Sequence, residues 1–249
     1  MQTALLLMII PGHHNLLTSE IHQFRQSPPD HPKMQKHKDP PSFDHEKELF
    51  KEGFKFICGI DEAGRGALAG PLVCAAVILK EESDLLFDSK TIDKTKRETA
   101  YEYIVKNAVS FSVGVSDVNE ISKFGIQTAT YIAGHKAILN LKFKPDFLII
   151  DHYRFPATQI PQLPLTHGDS LSQSVAAASI IAKVTRDKIM TTLSQKTKYK
   201  KYHFASHFGY GTKQHYSIIE SEGLCDLHRK NFKIIDNQGQ TFFNFNKSK

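Results

Sequence analysis

One run of fifteen residues, Ile57-Cys-Gly-Ile-Asp61-Glu62-Ala-Gly64-Arg65-Gly66-Ala-Leu-Ala-Gly70-Pro71, narrows the folds open to this chain more than any other segment. Residues 54–60 are rich in aromatic and β-branched side chains and meet a glycine-punctuated stretch, which predicts a buried strand that stops at Asp61. Two carboxylates therefore fall at a strand end. Side chains alternate across a strand, so Asp61 and Glu62 can serve one site only if the strand breaks between them. Gly64 and Gly66 permit such a break and leave backbone groups uncovered, with Arg65 between them as a fork of donors suited to phosphate.

Two more carboxylates occupy comparable positions. Phe147-Leu-Ile-Ile-Asp151 is an apolar run bounded by Pro145 and Pro156, which predicts a short buried strand ending in Asp151. The ends of parallel strands are where α/β sites assemble, so Asp61 and Asp151 are expected at one sheet edge. After a loop through Pro156, Pro161 and Pro164, Asp169 stands just ahead of a helix of small residues over 175–187. Lys183 and Asp187 are spaced to pair on one face of that helix. Asp187 lies about five turns beyond Asp169 and is assigned a structural role. Elsewhere the pattern predicts strands over 72–79 and 109–115, a helix capped by Asp93 and running to about 107, and one or two helices over 121–141.

Composition sets the outer limits. With 249 residues, 40% of them hydrophobic, the chain can bury one large core or two modest ones and carry an appendage. Six of eleven prolines and five histidines fall in the first 41 residues, where no apolar period survives, so residues 1–45 read as a disordered extension. Residues 46–235 read as the folded domain and 236–249 as a C-terminal tail. The apolar run at 4–10 is too short to span a membrane and lacks the basic flank of a signal peptide. The net charge is +6, and from Lys183 onward there are 13 Lys and Arg against 5 Asp and Glu, a basic bias that suits nucleic acid. Cys58, Cys74 and Cys225 form an odd set, two of them in apolar strands, as expected of reduced thiols in a cytoplasmic protein.

The first run closely resembles the signature of type 2 ribonuclease H, the ribonuclease HII family, with Ala67 where proline is usual. Asp88-Ser89-Lys90, Asp151, Gly168-Asp169, the alanine-rich 176–187 stretch, Gly209-Tyr210-Gly211-Thr212 and histidines 207, 215 and 228 resemble further blocks of the same pattern, in order, from about residue 54 to 232. His152 replaces the glycine that normally follows the third carboxylate, and His167 replaces a lysine. The resemblance implies a ribonuclease H-like α/β fold, a mixed central sheet flanked by helices with a helical C-terminal part completing a basic groove. It also implies that residues 46–235 form a catalytic domain in which Asp61, Glu62, Asp151 and Asp169 converge as catalytic residues. Four like charges in a small site call for cations, and hard oxygen donors suit Mg²⁺ or Mn²⁺ as a two-metal site for phosphodiester hydrolysis.

The implied substrates are RNA:DNA hybrids and duplex DNA carrying single ribonucleotides, cut on the 5′ side of the ribonucleotide. Discrimination needs a reader of the 2′-hydroxyl, for which the Gly64-Arg65-Gly66 backbone is the candidate, while Lys90 would touch a phosphate and Tyr210 stack on a sugar. A non-catalytic hybrid-binding module would have no use for four carboxylates, and a DNA nuclease of the same superfold no need of Gly-Arg-Gly or Tyr210. His203, His207, Cys225 and His228 imitate zinc spacing, but the family pattern has histidine at 207, 215 and 228 and accounts for those without zinc. Gln240 followed by Phe242, Phe243 and Phe245 loosely resembles peptides that dock on DNA sliding clamps, with different spacing. The expectation is that Phe242 and Phe243 cover an apolar patch of a monomer.

Overall fold

The structure, a computed structural model, describes residues 40–87, 92–232, 234, 235 and 241–243; the expected extension up to residue 39 and Lys90 lie outside them. Helix α1 (Asp44–Lys51) leads into β1 (Ile57–Ala63), which pairs antiparallel with β2 (Leu72–Ile78), itself antiparallel to β3 (Ser110–Ser116). On its other side β1 runs parallel to β4 (Phe147–Asp151), and β4 runs parallel to β5 (Gln162–Leu165). The order β3-β2-β1-β4-β5 is the mixed sheet that the sequence implied.

Helices α2 (Lys94–Asn107) and α4 (Gln173–Gln195) cover one face of this sheet and α3 (Val118–Leu139) the other. Strand β2 is covered on both sides, which is why its sequence is an unbroken apolar run: Ala75 and Val77 pack toward α4, Cys74, Ala76 and Ile78 toward α3. The helices lie unusually close to the strands. A Cβ on Gly59 of β1 would overlap the backbone of Ser174 and Val175 in α4, and one on Gly114 of β3 would overlap the Ala133 carbonyl in α3. The alanines of α4 therefore serve the sheet contact directly, with Ala177, Ala178 and Ala182 all buried.

Asp93 caps α2 by accepting from the Lys96 N–H at 2.8 Å, as the sequence indicated. The stretch expected to form one or two helices forms two in series, since Gly125 adopts φ 79 inside α3, and Asp117 with Glu120 closes a capping box at its start. Gly134 remains helical and is glycine because the Phe155 ring occupies the place of its Cβ. The loop expected over 156–164 contains β5, and Pro164 is accommodated there because β5 is an edge strand.

The expected boundary near residue 45 falls inside α1. Phe43 is buried, Ser42 bridges Ser172, and the Glu46 carboxylate, 1% exposed, accepts from the Ser172 hydroxyl at 2.6 Å and the Ser174 N–H at 2.9 Å. A carboxylate at the N-terminus of α4 meets unpaired amides and the positive end of the helix dipole, so α1 fastens the start of that helix. The C-terminal part comprises a short 3-10 helix (Thr197–Tyr202), α5 (Phe204–His207) and α6 (Lys213–Glu222), packed around Tyr199, Tyr202 and Phe204 against Ala69 and Met190. Strands β6 (Ile234–Ile235) and β7 (Thr241–Phe243) pair beyond it; the side chains of Phe242 and Phe243 lie outside the described residues.

Candidate active site

The parallel register of β1 and β4 ends at the Ile60–Ile150 pair, so Asp61 and Asp151 are neighbours one step further along. The Asp151 carboxylate accepts from the Gly168 N–H at 2.7 Å, which ties the short 3-10 helix (Gly168–Ser170) carrying Asp169 to the end of β4. His167, the residue standing where lysine is usual, makes that turn in the left-handed region at φ 61. Asp61 and Asp169 are both buried, at 4% and 3% exposure. Asp61 accepts from the Glu62 N–H at 2.7 Å and from the hydroxyl of Ser179 on α4. Burial first, then the negative charges of Asp151, Glu62 and Asp169, push its carboxyl well above the usual carboxylate range.

Strand β1 does not break at Asp61: it continues to Ala63, with Asp61 opposite Ala75 and Glu62 opposite Cys74. The two carboxylates consequently leave opposite faces of the strand, Asp61 toward Ser179 and Glu62 toward α3. Glu62 stands 3.5 Å from Arg65, and its charge still acts on Asp61, so the strand break expected as a condition for the two carboxylates to act together is not required. Pairing with β2, which turns back only at Gly70-Pro71, keeps the strand extended past the point where local glycine content suggested a stop.

Arg65 is engaged inside the protein. Its guanidinium donates to Thr130 Oγ1 at 3.0 Å, Gln127 Oε1 at 3.1 Å and the Tyr153 hydroxyl at 3.3 Å, and lies over the Tyr153 ring. Its own carbonyl accepts from Arg229 at 2.9 Å. Two fully buried arginines hold the rest of the β1–β2 turn: Arg186 donates to the carbonyls of Ala69 and Pro71, Arg229 to those of Gly70 and Pro71. Burial, and secondarily the Arg186 charge, lower the Arg229 guanidinium to about 9. Gly64, at φ 97, is buried against Arg186, whereas Gly66 is exposed with open space where a Cβ would be. Tyr210 is half-buried, its ring 4.9 Å from the Arg186 guanidinium and 5.3 Å from Lys183 Nζ, which places it beside the same turn. Lys183 pairs with Asp187 at 2.9 Å, the structural contact expected of that acid.

Matched against the family model for ribonuclease HII, the chain aligns over residues 58–235. The chain belongs to the ribonuclease HII family. The family's protein from Caldicellulosiruptor saccharolyticus is 45% identical over 192 residues, covering 76% of this chain and 93% of its own. That of Clostridioides difficile is 46% identical over 189 residues, 75% of this chain and 73% of its own. Among solved structures, the ribonuclease HII of Archaeoglobus fulgidus in a PCNA:RNase HII complex superposes with TM-score 0.62 at 25% identity, over 74% of this chain and 98% of that one. The ribonuclease H2 of Pyrococcus horikoshii, at 21% identity and TM-score 0.59, shares the fold, with 72% and 94% covered. The chain is thus a ribonuclease H, a metal-dependent phosphodiester endonuclease.

The residues present fit a divalent ion by donor chemistry: hard carboxylate oxygens, with a surplus of negative charge that pushes Asp61 toward its neutral form. Among the described residues no three His, Cys, Asp or Glu side chains stand ready-grouped around a metal position, in keeping with the turn of Glu62 toward Arg65. Sequence reasoning did not single out Ser179, Tyr153, Arg186 or Arg229. Ser179 and Arg186 sit within the alanine-rich block, where the small residues spoke for packing, and the carbonyls the arginines bind carry no signal in sequence.

Proposed function

We propose that the chain hydrolyses the RNA strand of RNA:DNA hybrids and incises 5′ of single ribonucleotides embedded in duplex DNA, leaving 3′-hydroxyl and 5′-phosphate ends, in the removal of misincorporated ribonucleotides. The observation that carries this reading is the burial of Asp61 within the field of Asp151, Glu62 and Asp169, beside the exposed Gly66 of a rigidly held turn. Asp61, Glu62, Asp151 and Asp169 are the residues that would hold two Mg²⁺ or Mn²⁺ ions. When bound, such ions supply Lewis acidity at the scissile phosphate and charge for the departing 3′ oxygen.

The protein's own groups do the rest. Ser179 fixes the orientation of Asp61, and the Asp151 bond to Gly168 fixes Asp169 relative to β4. The backbone at Gly66, with no side chain in the way, is suited to approach a 2′-hydroxyl, while Arg65 and Gly64 hold the turn from within. Tyr210 offers a ring for a sugar next to that turn. Lys90, outside the described residues, remains a proposed phosphate contact. The protein would act as a monomer in the cytoplasm, consistent with free Cys58, Cys74 and Cys225. Among the described residues no helix is long and apolar enough to cross a membrane. The Archaeoglobus protein is seen in a complex with PCNA; in this chain the 240–245 stretch is the candidate for clamp docking, although its spacing differs from that of clamp-binding peptides.

Incubation with Mn²⁺ or Mg²⁺ and a duplex carrying one ribonucleotide, beside an all-DNA duplex, tests this reading. Incision of the first alone, 5′ of the ribonucleotide, is expected; cutting of both duplexes, or of neither with the folded protein, refutes it. Tyr210→Ala should slow single-turnover cleavage at single ribonucleotides most, and an unchanged rate would return Tyr210 to a packing role.

A further inference from the structure

The C-terminal part buries three histidines together, His207, His215 and His228, with Cys225 alongside. Each ring nitrogen has a partner, and the partners fix the protons. A carbonyl only accepts, so the 3.0 Å contact from His215 Nδ1 to the Tyr210 carbonyl makes Nδ1 the protonated nitrogen of that ring. His215 Nε2 is then a lone pair and must accept from His228 Nε2, 3.2 Å away. At the far side of His228, the Cys225 N–H points at Nδ1 at 2.9 Å and the Cys225 sulfur lies at 3.2 Å, both met by a lone pair there. The Cys225 carbonyl, 3.3 Å from the same nitrogen, already accepts from the His228 N–H at 3.0 Å. His207 donates through Nε2 to the Tyr202 carbonyl and accepts at Nδ1 from the Gly209 N–H. All three rings are satisfied as neutral imidazoles, with burial the leading cause of the fall of His215 and His228 to about 4. No lone pair is left over for a metal.

The chain of protons ends on the residue proposed to meet substrate. The Tyr210 backbone is gripped on both sides, its N–H donating to the His207 carbonyl and its carbonyl taking the His215 proton beside that of the Thr212 N–H. Its neighbour Gly209 accepts from the N–H groups of Leu68 at 2.8 Å and Ala69 at 3.2 Å, which staples the same turn to the β1–β2 turn of the active site. We propose that His228 and His215 form a one-way hydrogen-bond relay, from Cys225 to the Tyr210 carbonyl, that sets the position of the Tyr210 ring against the substrate duplex. His215 and His228 are positioning residues in this scheme, which rests on the reading of Tyr210 as a substrate contact. Asparagine at 215 can present an N–H near the Nδ1 position, and glutamine at 228 one near Nε2, so each conservative change keeps one link of the relay.

Nitrogen NMR of the full chain with labelled histidines reads the relay without any variant. A protonated Nδ1 in His215, with protonated Nε2 in His207 and His228, is expected; Nε2–H at His215 overturns the proposal. Single-turnover cleavage then reads the function, using Tyr210→Ala, His215→Ala, His215→Asn and the double variant His215→Ala with Tyr210→Ala. His215→Ala should slow cleavage at a single ribonucleotide about tenfold, and should add nothing, within about twofold, once Tyr210 is gone. His215→Asn should recover most of the rate. Losses that add in the double variant, or that fall equally on RNA:DNA hybrids and single ribonucleotides, would mean that His215 only supports folding and would refute the relay while leaving Tyr210 in place. A Tyr210→Ala protein with undiminished rate would instead overturn the substrate role of Tyr210, and the positioning role with it.

Discussion

The two glycines that flank Arg65 should fail in opposite ways when given a methyl group. At Gly64 the backbone has φ 97, and a Cβ would overlap Nε and Cδ of Arg186, a side chain with no exposed surface into which to retreat. Alanine there bears a left-handed backbone penalty of roughly 1–2 kcal/mol. If Arg186 yields, its bond to the Pro71 carbonyl at 2.9 Å is lost too, and a hydrogen bond from a charged donor is worth roughly 1.5–3 kcal/mol. Gly64→Ala should therefore cost about 3–5 kcal/mol, and for a domain of this size lower the melting temperature by about 6–20 °C. At Gly66 nothing lies within 4 Å of the added carbon, so Gly66→Ala should shift stability by less than about 0.5 kcal/mol. It should nonetheless slow cleavage at single ribonucleotides, since the methyl group stands where the substrate backbone is proposed to approach. Urea titration of both variants with single-turnover cleavage separates the effects. A Gly64→Ala midpoint equal to that of the native protein would refute the packing argument, and full activity in Gly66→Ala would remove its backbone from substrate recognition.

Four further outcomes rest on contacts elsewhere in the protein. Because the Asp61 carboxyl is raised in the folded state, its contribution to stability is complete below the unfolded value of about 3.8 and is lost as pH rises through the folded one. Metal-free Asp61→Asn should thus melt above the native protein at neutral pH, by a margin that narrows toward about pH 4, and should bind duplex without cutting it; a lower melting temperature at neutral pH contradicts the assignment. Mg²⁺ or Mn²⁺ should raise the melting temperature of the native protein more than that of Asp61→Asn, and equal shifts would place the ions elsewhere. Glu46→Ala should cost about 2–3 kcal/mol through the two contacts at the start of α4, with Glu46→Gln recovering much of it; indistinguishable urea midpoints would detach α1 from the core. Arg229→Lys, which exchanges a fork for a single ammonium, should weaken the hold on the carbonyls of Arg65 and Gly70, while Pro71 keeps its bond from Arg186, and cost about 2–4 kcal/mol, and a loss below about 1 kcal/mol would show that the turn holds itself.

Much of the architecture was legible because it depends on local pattern. Apolar runs that end in a carboxylate placed β1 and β4, the Asp93 cap follows from a short polar side chain before a helical period, and the small residues of α4 marked a helix that others can approach closely. Where pattern misled, a tertiary contact had overruled it. The extension of β1 through Glu62 is imposed by β2, whose residues 73–75 continue the ladder opposite residues 61–63, and no composition at positions 61–66 could reveal that partner. Strand β5 was hidden by prolines that read as loop signals, since the sequence does not say that the strand would lie at an edge.

The carboxylates and the residues that position them differ in legibility for a related reason. Asp61 and Asp151 each close an apolar run and Asp169 stands just ahead of a helical one, so their type and place mark them. Arg65, also marked by its motif, turned out to work inward, because Thr130, Gln127 and Tyr153 offer it acceptors that are distant in sequence. Arg186 and Arg229 bind backbone carbonyls 115–164 residues away, and every residue type offers the same carbonyl. A fork that matches Arg65, Gly70 and Pro71 at once exists as a binding group only after the β1–β2 turn has closed. The turn and its arginines are therefore each a condition of the other. A change that loosens either should reach Asp61 and Glu62 through β1, with none of the four proposed metal ligands being altered.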